Sequence, residues 1–217
     1  MQDFQRDFLD YALAQEIIRF GEFTLKSGRV SPYFFNSGLF NTGASLQRVG
    51  ESYAAAIMHS GVAFDALFGP AYKGIPLVAA TAIALAARFD RSVPYCFDRK
   101  EAKDHGEGGL IVGAPPRGQV LIVDDVISAG TSVNHSVEVI RNAGAIPAGV
   151  VIALDRQERG QSSQISAVAE VEQRFGIPVI AIVRLEHLLR YLEGQPDKSS
   201  ALAVIMSYKE RYGAGVA

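Results

Sequence analysis

The stretch that decides the fold is Val120-Leu121-Ile122-Val123-Asp124-Asp125-Val126-Ile127-Ser128-Ala129-Gly130-Thr131-Ser132. A near-continuous apolar run over 119–123 suits a parallel strand covered on both faces, because a strand with one wet face alternates. Two adjacent carboxylates end that strand. A turn of small residues follows, and a helix opens at once over 131–142, stopping at Gly144. Such a turn presents backbone N–H groups and hydroxyls to a phosphate at the positive end of the helix. The carboxylates suit ribose hydroxyls, which donate hydrogen bonds to them. In the plainer reading Asp124 and Asp125 only cap a helix and Gly130 only makes a turn. Paired acids directly after four apolar strand residues are unusual for that role. The chain has no G-x-x-x-x-G-K-[ST] run and no G-x-G-x-x-G run, so Walker and dinucleotide readings lose ground.

Outward from this stretch the same strand–loop–helix order repeats. A short strand at 66–68 leads through Gly69-Pro70-Ala71-Tyr72-Lys73-Gly74 into an apolar helix over 75–87. Further strands are expected at 93–97, 148–154 and 178–183, and further helices at 163–175, 185–193 and 202–211. Before them, helical spacing covers 7–21 and 46–60, with an apolar-polar strand, a Ser-Gly turn and an aromatic strand across 22–36. Alternating strands and helices imply an α/β fold with a mostly parallel central sheet flanked by helices. One domain spans 1–217. Its core covers about 46–185, and a small hood from about 1–45, with C-terminal elements, lies over the carboxyl edge of the sheet. In such sheets ligands sit beyond the carboxyl ends of the strands.

Bulk properties narrow the function classes. The 217 residues are 48% hydrophobic and 20% charged, with a formal net charge of -2. A general nucleic-acid binder carries a basic excess, so nucleic acid is not an expected partner. The longest apolar stretch, 75–87, is too short for a bilayer, which needs ~20 apolar residues, and no signal peptide is visible. A single cysteine, Cys96, rules out an intrachain disulfide and fits a reducing cytoplasm. His59, His135 and His187 fall on expected helices and read as structural or surface residues.

Four other segments carry chemistry. Asp98-Arg99-Lys100-Glu101-Ala102-Lys103-Asp104-His105-Gly106-Glu107-Gly108-Gly109 is dense in charge. By composition it is a solvated loop, yet three cations and a histidine also suit a lid over pyrophosphate. Phe34 and Phe35 are core residues by aromatic content alone. The 69–74 loop is a strand-to-helix turn by its glycines and proline. Arg156, after the 148–154 strand, reads as a surface arginine paired with Asp155 or Glu158. Its planar guanidinium also matches a carboxylate.

Taken together, these segments resemble the type I phosphoribosyltransferase family, and specifically its orotate branch. The 120–132 stretch is similar to that family's site for phosphoribosyl pyrophosphate (PRPP), and the 98–109 segment to its flexible catalytic loop, R-K-x-x-K-x-H-G. The resemblance implies that Asp124 and Asp125 contact the ribose hydroxyls. It implies that Ser128, Ala129, Gly130, Thr131 and Ser132 hold the 5′-phosphate, with Val126 and Ile127 also among the PRPP-binding residues. Ser128 stands where these enzymes usually have threonine, and serine keeps the hydroxyl. Tyr72, Lys73, Arg99, Lys100, Lys103 and His105 become further PRPP ligands, with Lys103 the catalytic cation. Lys26 meets both substrates, and Phe34, Phe35, Ser128 and Arg156 hold orotate. A non-proline cis peptide, carried by related enzymes in the 69–74 loop, belongs here at Ala71–Tyr72. The family resemblance further implies Mg²⁺ carried with PRPP, with no protein side chain assigned as its ligand. It also implies a homodimer whose lid loops are shared between subunits. The rivals are a purine or uracil phosphoribosyltransferase, a PRPP-sensing regulator on the same fold, and an unrelated sugar-phosphate module.

Overall fold

The computed structural model describes residues 1–25, 27–103, 109–127, 130–160 and 164–214, and all side chains among them except those of Ala102 and Lys103. Its main sheet is built on β3 (Ala66–Gly69), β4 (Tyr95–Lys103), β5 (Gly109–Gly113), β6 (Gln119–Val123), β7 (Ile146–Asp155) and β8 (Val179–Arg184). The strand order is β5-β4-β3-β6-β7-β8. All neighbours are parallel except β4 and β5. This is the expected α/β architecture.

Both faces are covered, as the apolar run at β6 requires. Leu121 and Val123 point into one cluster, with residues of α1 (Asp3–Ala14), α2 (Gly43–Ser60) and α3 (Gly74–Phe89). Val120 and Ile122 point into the other, with residues of α4 (Thr131–Asn142) and α5 (Ala167–Phe175). Every one of these four strand residues is fully buried. The period-two alternation of a strand therefore feeds two cores.

A separate hairpin, β1 (Ile18–Thr24) and β2 (Val30–Phe35), stands before the main sheet. The chain ends with α6 (Leu185–Glu193) and α7 (Ser199–Tyr212). Tyr208 of α7 meets Tyr33 of β2 edge-on, with ring centroids 6.4 Å apart. The N-terminal hairpin and the C-terminal helix thus pack as one body.

Three sequence expectations need correction. The first helix stops at Ala14 rather than running to residue 21. Glu16 adopts a left-handed conformation (φ 54), and the β-branched pair Ile17–Ile18 leads into β1, where Ile18 pairs with Phe35. The helix expected at 163–175 begins at Ala167, because the Ser166 side chain accepts from the Ala169 N–H and caps it there. The charged segment 98–109 is not simply a loop. β4 continues through it to Lys103, and β5 returns antiparallel, pairing Phe97 with Val112 and Asp98 with Ile111. Charge and glycine concealed an extended edge hairpin.

Candidate active site

Chain order sets where the site lies. From β3 the chain crosses by α3 to β4 on one side. From β6 it crosses by α4 to β7 on the other. The carboxyl ends of β3 and β6 therefore flank a topological switch point, where open α/β sheets leave a crevice. Two of the segments singled out by sequence meet there.

At the end of β6, Asp124 and Asp125 are each 6% exposed. Backbone bonds from Asp124 N to Val151 O (3.0 Å) and from Ala153 N to Asp125 O (2.9 Å) tie both to β7. The Ser132 hydroxyl donates to Asp124 Oδ2 at 2.8 Å, and the Asp125 N–H donates to Asp124 Oδ1. Asp125 Oδ2 accepts from the Ser37 hydroxyl at 2.5 Å and from Lys73 Nζ at 2.8 Å. Beneath them the buried Tyr53 hydroxyl donates to the Asp124 carbonyl at 2.7 Å. Burial first, and then the Asp125 charge, push the Asp124 carboxyl up to about 6. Gly130 takes a left-handed conformation (φ 68) and starts α4. Thr131 and Ser132 form the first turn of that helix, where unpaired N–H groups favour an anion.

The opposite wall is the 70–74 turn. The Ala71–Tyr72 peptide is cis. Gly74 sits so close that a Cβ there would lie 2.6 Å from Pro70 Cδ and 3.0 Å from the Val123 carbonyl. Glycine lets the start of α3 press against the end of β6. Tyr72 is exposed, and Lys100 of β4 lies over its ring at 5.3 Å. The turn and β4 thus already touch.

The third wall joins the N-terminal hairpin to the end of β7. Arg156 is only 17% exposed. Its Nε and Nη2 donate to Glu158 Oε1 at 2.8 and 2.6 Å, and Nη2 also donates to the Ser31 hydroxyl at 2.9 Å. Its guanidinium lies 4.2 Å from the Tyr33 ring centre. It is not the surface arginine that local sequence suggests. Arg29 donates to the carbonyls of Arg159 (2.8 Å) and Gly160 (3.1 Å) and so holds the hairpin down. Phe34 stacks on Phe23 at 5.4 Å, while Phe35 faces the core, because successive strand residues point to opposite sides.

Among the described residues, Tyr72, Lys73, Lys100, Asp124, Asp125, Val126, Ile127, Gly130, Thr131 and Ser132 fall around the switch point, with Arg99 on β4. Lys26, His105, Ser128, Ala129 and the Lys103 side chain lie outside the described residues. Sequence reasoning missed Ser31, Ser37 and Tyr53 as partners of the site, and it named Glu158 only as one of two candidate partners of a surface arginine. It also gave no role to Asp98, which follows the apolar opening of β4 as Asp124 follows β6. That placement is a signal within reach of the sequence.

The described residues contain no cluster of three or more His, Cys, Asp or Glu side chains able to hold a metal ion. Both carboxylates already accept from N–H and O–H donors. Such a donor set fits a divalent cation carried mainly by substrate oxygens and water rather than by a protein cage.

Comparison with known proteins agrees with this geometry. Residues 37–179 match the phosphoribosyl transferase domain. The chain is 62% identical to an orotate phosphoribosyltransferase of Methylococcus capsulatus over 213 residues, covering 98% of this chain and 99% of that one. It is 57% identical to an orotate phosphoribosyltransferase of Yersinia pestis over the same share of each chain. The crystal structure of an orotate phosphoribosyltransferase from Francisella tularensis superposes with a TM-score of 0.86 at 45% identity, covering 95% of this chain and 98% of that one.

Proposed function

Because the chain belongs to the orotate phosphoribosyltransferases within the phosphoribosyl transferase domain family, we propose that this site transfers the ribose 5-phosphate group of PRPP to orotate, giving orotidine 5′-monophosphate and pyrophosphate. The protein is a pentosyltransferase of pyrimidine biosynthesis. The observation that carries the site assignment is the buried Asp124–Asp125 pair, set between Lys73 and the N-terminus of α4.

The proposed roles follow from position. Asp124 and Asp125 accept hydrogen bonds from the ribose hydroxyls. The turn from Val126 to Ser132 and the first turn of α4 hold the 5′-phosphate, where N–H groups and the helix dipole favour it. Lys73 bridges to Asp125, yet its side chain is 61% exposed. The exposed Lys73 ammonium can turn to the diphosphate, and the buried Asp125 carboxylate then keeps the Ser37 hydroxyl as a donor. Tyr72, Arg99, Lys100 and His105 complete that grip, and Lys103 is the cation closest to the reaction. Asp124 and Asp125 are the carboxylates that would stand beside a Mg²⁺ carried in with PRPP, which would supply positive charge to the leaving pyrophosphate. The C1–O bond breaks and its electron pair leaves with pyrophosphate. A ring nitrogen of orotate forms the new bond to C1. Lys26, Phe34, Ser128 and Arg156 hold the base, Arg156 reading the carboxylate that distinguishes orotate from uracil, while Phe35, expected beside the base from sequence, packs into the core and supports β2 from behind. The protein's contribution is placement and electrostatics, with no covalent nucleophile.

The hairpin β1–β2 with α7 forms the hood over this site, and the working unit is a homodimer in which each lid serves the neighbouring subunit. A reducing cytoplasm is the proposed compartment, supported by the buried free thiol of Cys96. No helix among the described residues is long and apolar enough to cross a membrane.

The test is consumption of orotate in the presence of PRPP and Mg²⁺, with uracil and hypoxanthine as competing bases. Turnover of orotate alone is the expected result. Preference for another base would overturn the assignment of Arg156.

A further inference from the structure

One buried charge beside the site has no part in the mechanism above. Asp98 lies on β4, directly before Arg99 and Lys100, and is 3% exposed. Its two carboxylate oxygens serve different elements. Oδ1 accepts from the backbone N–H of Ala71 at 2.5 Å, in the turn that precedes α3. Oδ2 lies 2.8 Å from Nε2 of His135 on α4. His135 stands one helical turn beyond Thr131 and is half-exposed. A single carboxylate thereby joins the 70–74 turn, the lid strand and the phosphate-binding helix. Carboxylates leave water only where donors replace it, and here both oxygens are satisfied by groups that frame the PRPP site.

We propose that Asp98 is a positioning residue for PRPP, with His135 as its orienting partner. It touches no substrate. Through the Ala71 N–H it fixes the turn that carries Tyr72 and Lys73. Through its own strand it fixes the base of Arg99 and Lys100. Through His135 it sets both at a constant distance from the first turn of α4. The diphosphate end and the 5′-phosphate end of PRPP then meet groups already at the right spacing, which is where preorganisation acts on rate. The inference rests on the reading of these segments as the PRPP site.

The test is steady-state kinetics in both substrates on the full chain with Mg²⁺, using Asp98→Ala, Asp98→Asn, His135→Ala and, as a control, Lys73→Ala. Asp98→Ala leaves the Ala71 N–H and His135 without a partner. Its kcat/KM for PRPP should fall by on the order of tenfold to a hundredfold, while the orotate KM stays within about twofold. Asp98→Asn should recover most of the loss. Its amide oxygen still accepts from Ala71, and its NH₂ can donate to a neutral His135. His135→Ala should give a smaller loss of the same kind, and its half-exposed position keeps the test open if Asp98→Ala does not fold. Unchanged PRPP parameters in folded Asp98→Ala, or in His135→Ala where the former is unfolded, would overturn the proposal. So would equal losses for both substrates with no recovery in Asp98→Asn. If Lys73→Ala also leaves PRPP use untouched, the reading of the site has failed. If only Lys73→Ala affects it, this inference alone falls.

Discussion

Asp124 is held against its own charge. Burial and Asp125 raise its carboxyl from 3.8 to about 6, so folding favours the protonated form. The stability this group contributes is present below its unfolded value and is lost as pH rises through about 6. Asp124→Asn should therefore raise the unfolding free energy of the ligand-free protein at pH 7, by up to roughly 3 kcal/mol. It should also lower kcat/KM for PRPP about tenfold to a hundredfold. Chemical denaturation and kinetics on one preparation check both, and a variant unchanged in each would contradict the ribose assignment. Ribose hydroxyls donating to Asp124 favour its ionised form, so PRPP binding near pH 6 should release a proton and weaken as pH falls further. Calorimetry in two buffers of different ionisation enthalpy measures that release, which Asp124→Asn should abolish. Arg156 gives a separate prediction. Its fork is set by Glu158 and Ser31, so both Arg156→Ala and Arg156→Lys should raise the KM for orotate with little change for PRPP, because an ammonium cannot reproduce planar bidentate contacts. An unchanged orotate KM in both would mean that another group reads the carboxylate. At this scale, the residues legible in sequence were those contiguous in a motif. Ser37 meets Asp125 across 88 positions and Tyr53 meets Asp124 across 71. Nothing local marks such partners.

Among the elements, those with a single dominant pattern were legible. β6 and α6 fall where apolar spacing puts them. The end of α1 and the start of α5 depended on one backbone reversal at Glu16 and one serine cap, which outweigh weak helical periodicity. The β4–β5 hairpin escaped because its buried position after Cys96 is the carboxylate Asp98, and Arg99, Lys100 and Glu101 beyond it are charged and at least partly exposed, so no apolar alternation marks the strand. The β1–β2 hairpin offers a direct test of how the hood is held. Arg29 donates two hydrogen bonds to carbonyls of the 156–160 segment and lies 5.1 Å from the Tyr212 ring centre. Arg29→Ala should cost about 1–3 kcal/mol and should speed amide exchange in β1 and β2 while leaving β6 protected. It should also raise the orotate KM, since the hairpin places Ser31 and Tyr33 against Arg156. Unaltered exchange in β1–β2 would show that α7 alone fixes the hairpin.

At the scale of the whole molecule, the proposed sharing of lids makes a quantitative prediction. In a two-fold dimer with exchanged lids, Lys103→Ala and Asp125→Asn inactivate different parts of each composite site. Mixed by refolding, they form hybrid dimers with one intact site and one doubly defective site. Random pairing makes about half the dimers hybrid, so about a quarter of all sites should regain activity. A lid serving its own subunit leaves one defect in every site and restores nothing, which is the outcome that would defeat the exchange. The position of the lid carries one more consequence. β5 is the margin of the six-stranded sheet, a five-residue strand bounded by Gly109 and Gly113, both at positive φ. Short, glycine-bounded borders are poor templates for another chain, and the charges of Arg99, Lys100 and Glu101 on β4 discourage pairing further. Excising 99–113 would leave the backbone of Tyr95, Cys96 and Phe97 as a bare border beside an apolar interior. Such a protein should scatter light and precipitate at concentrations where the intact chain stays dispersed. The arm proposed to grip the leaving group would also be the guard that keeps neighbouring molecules from zipping together.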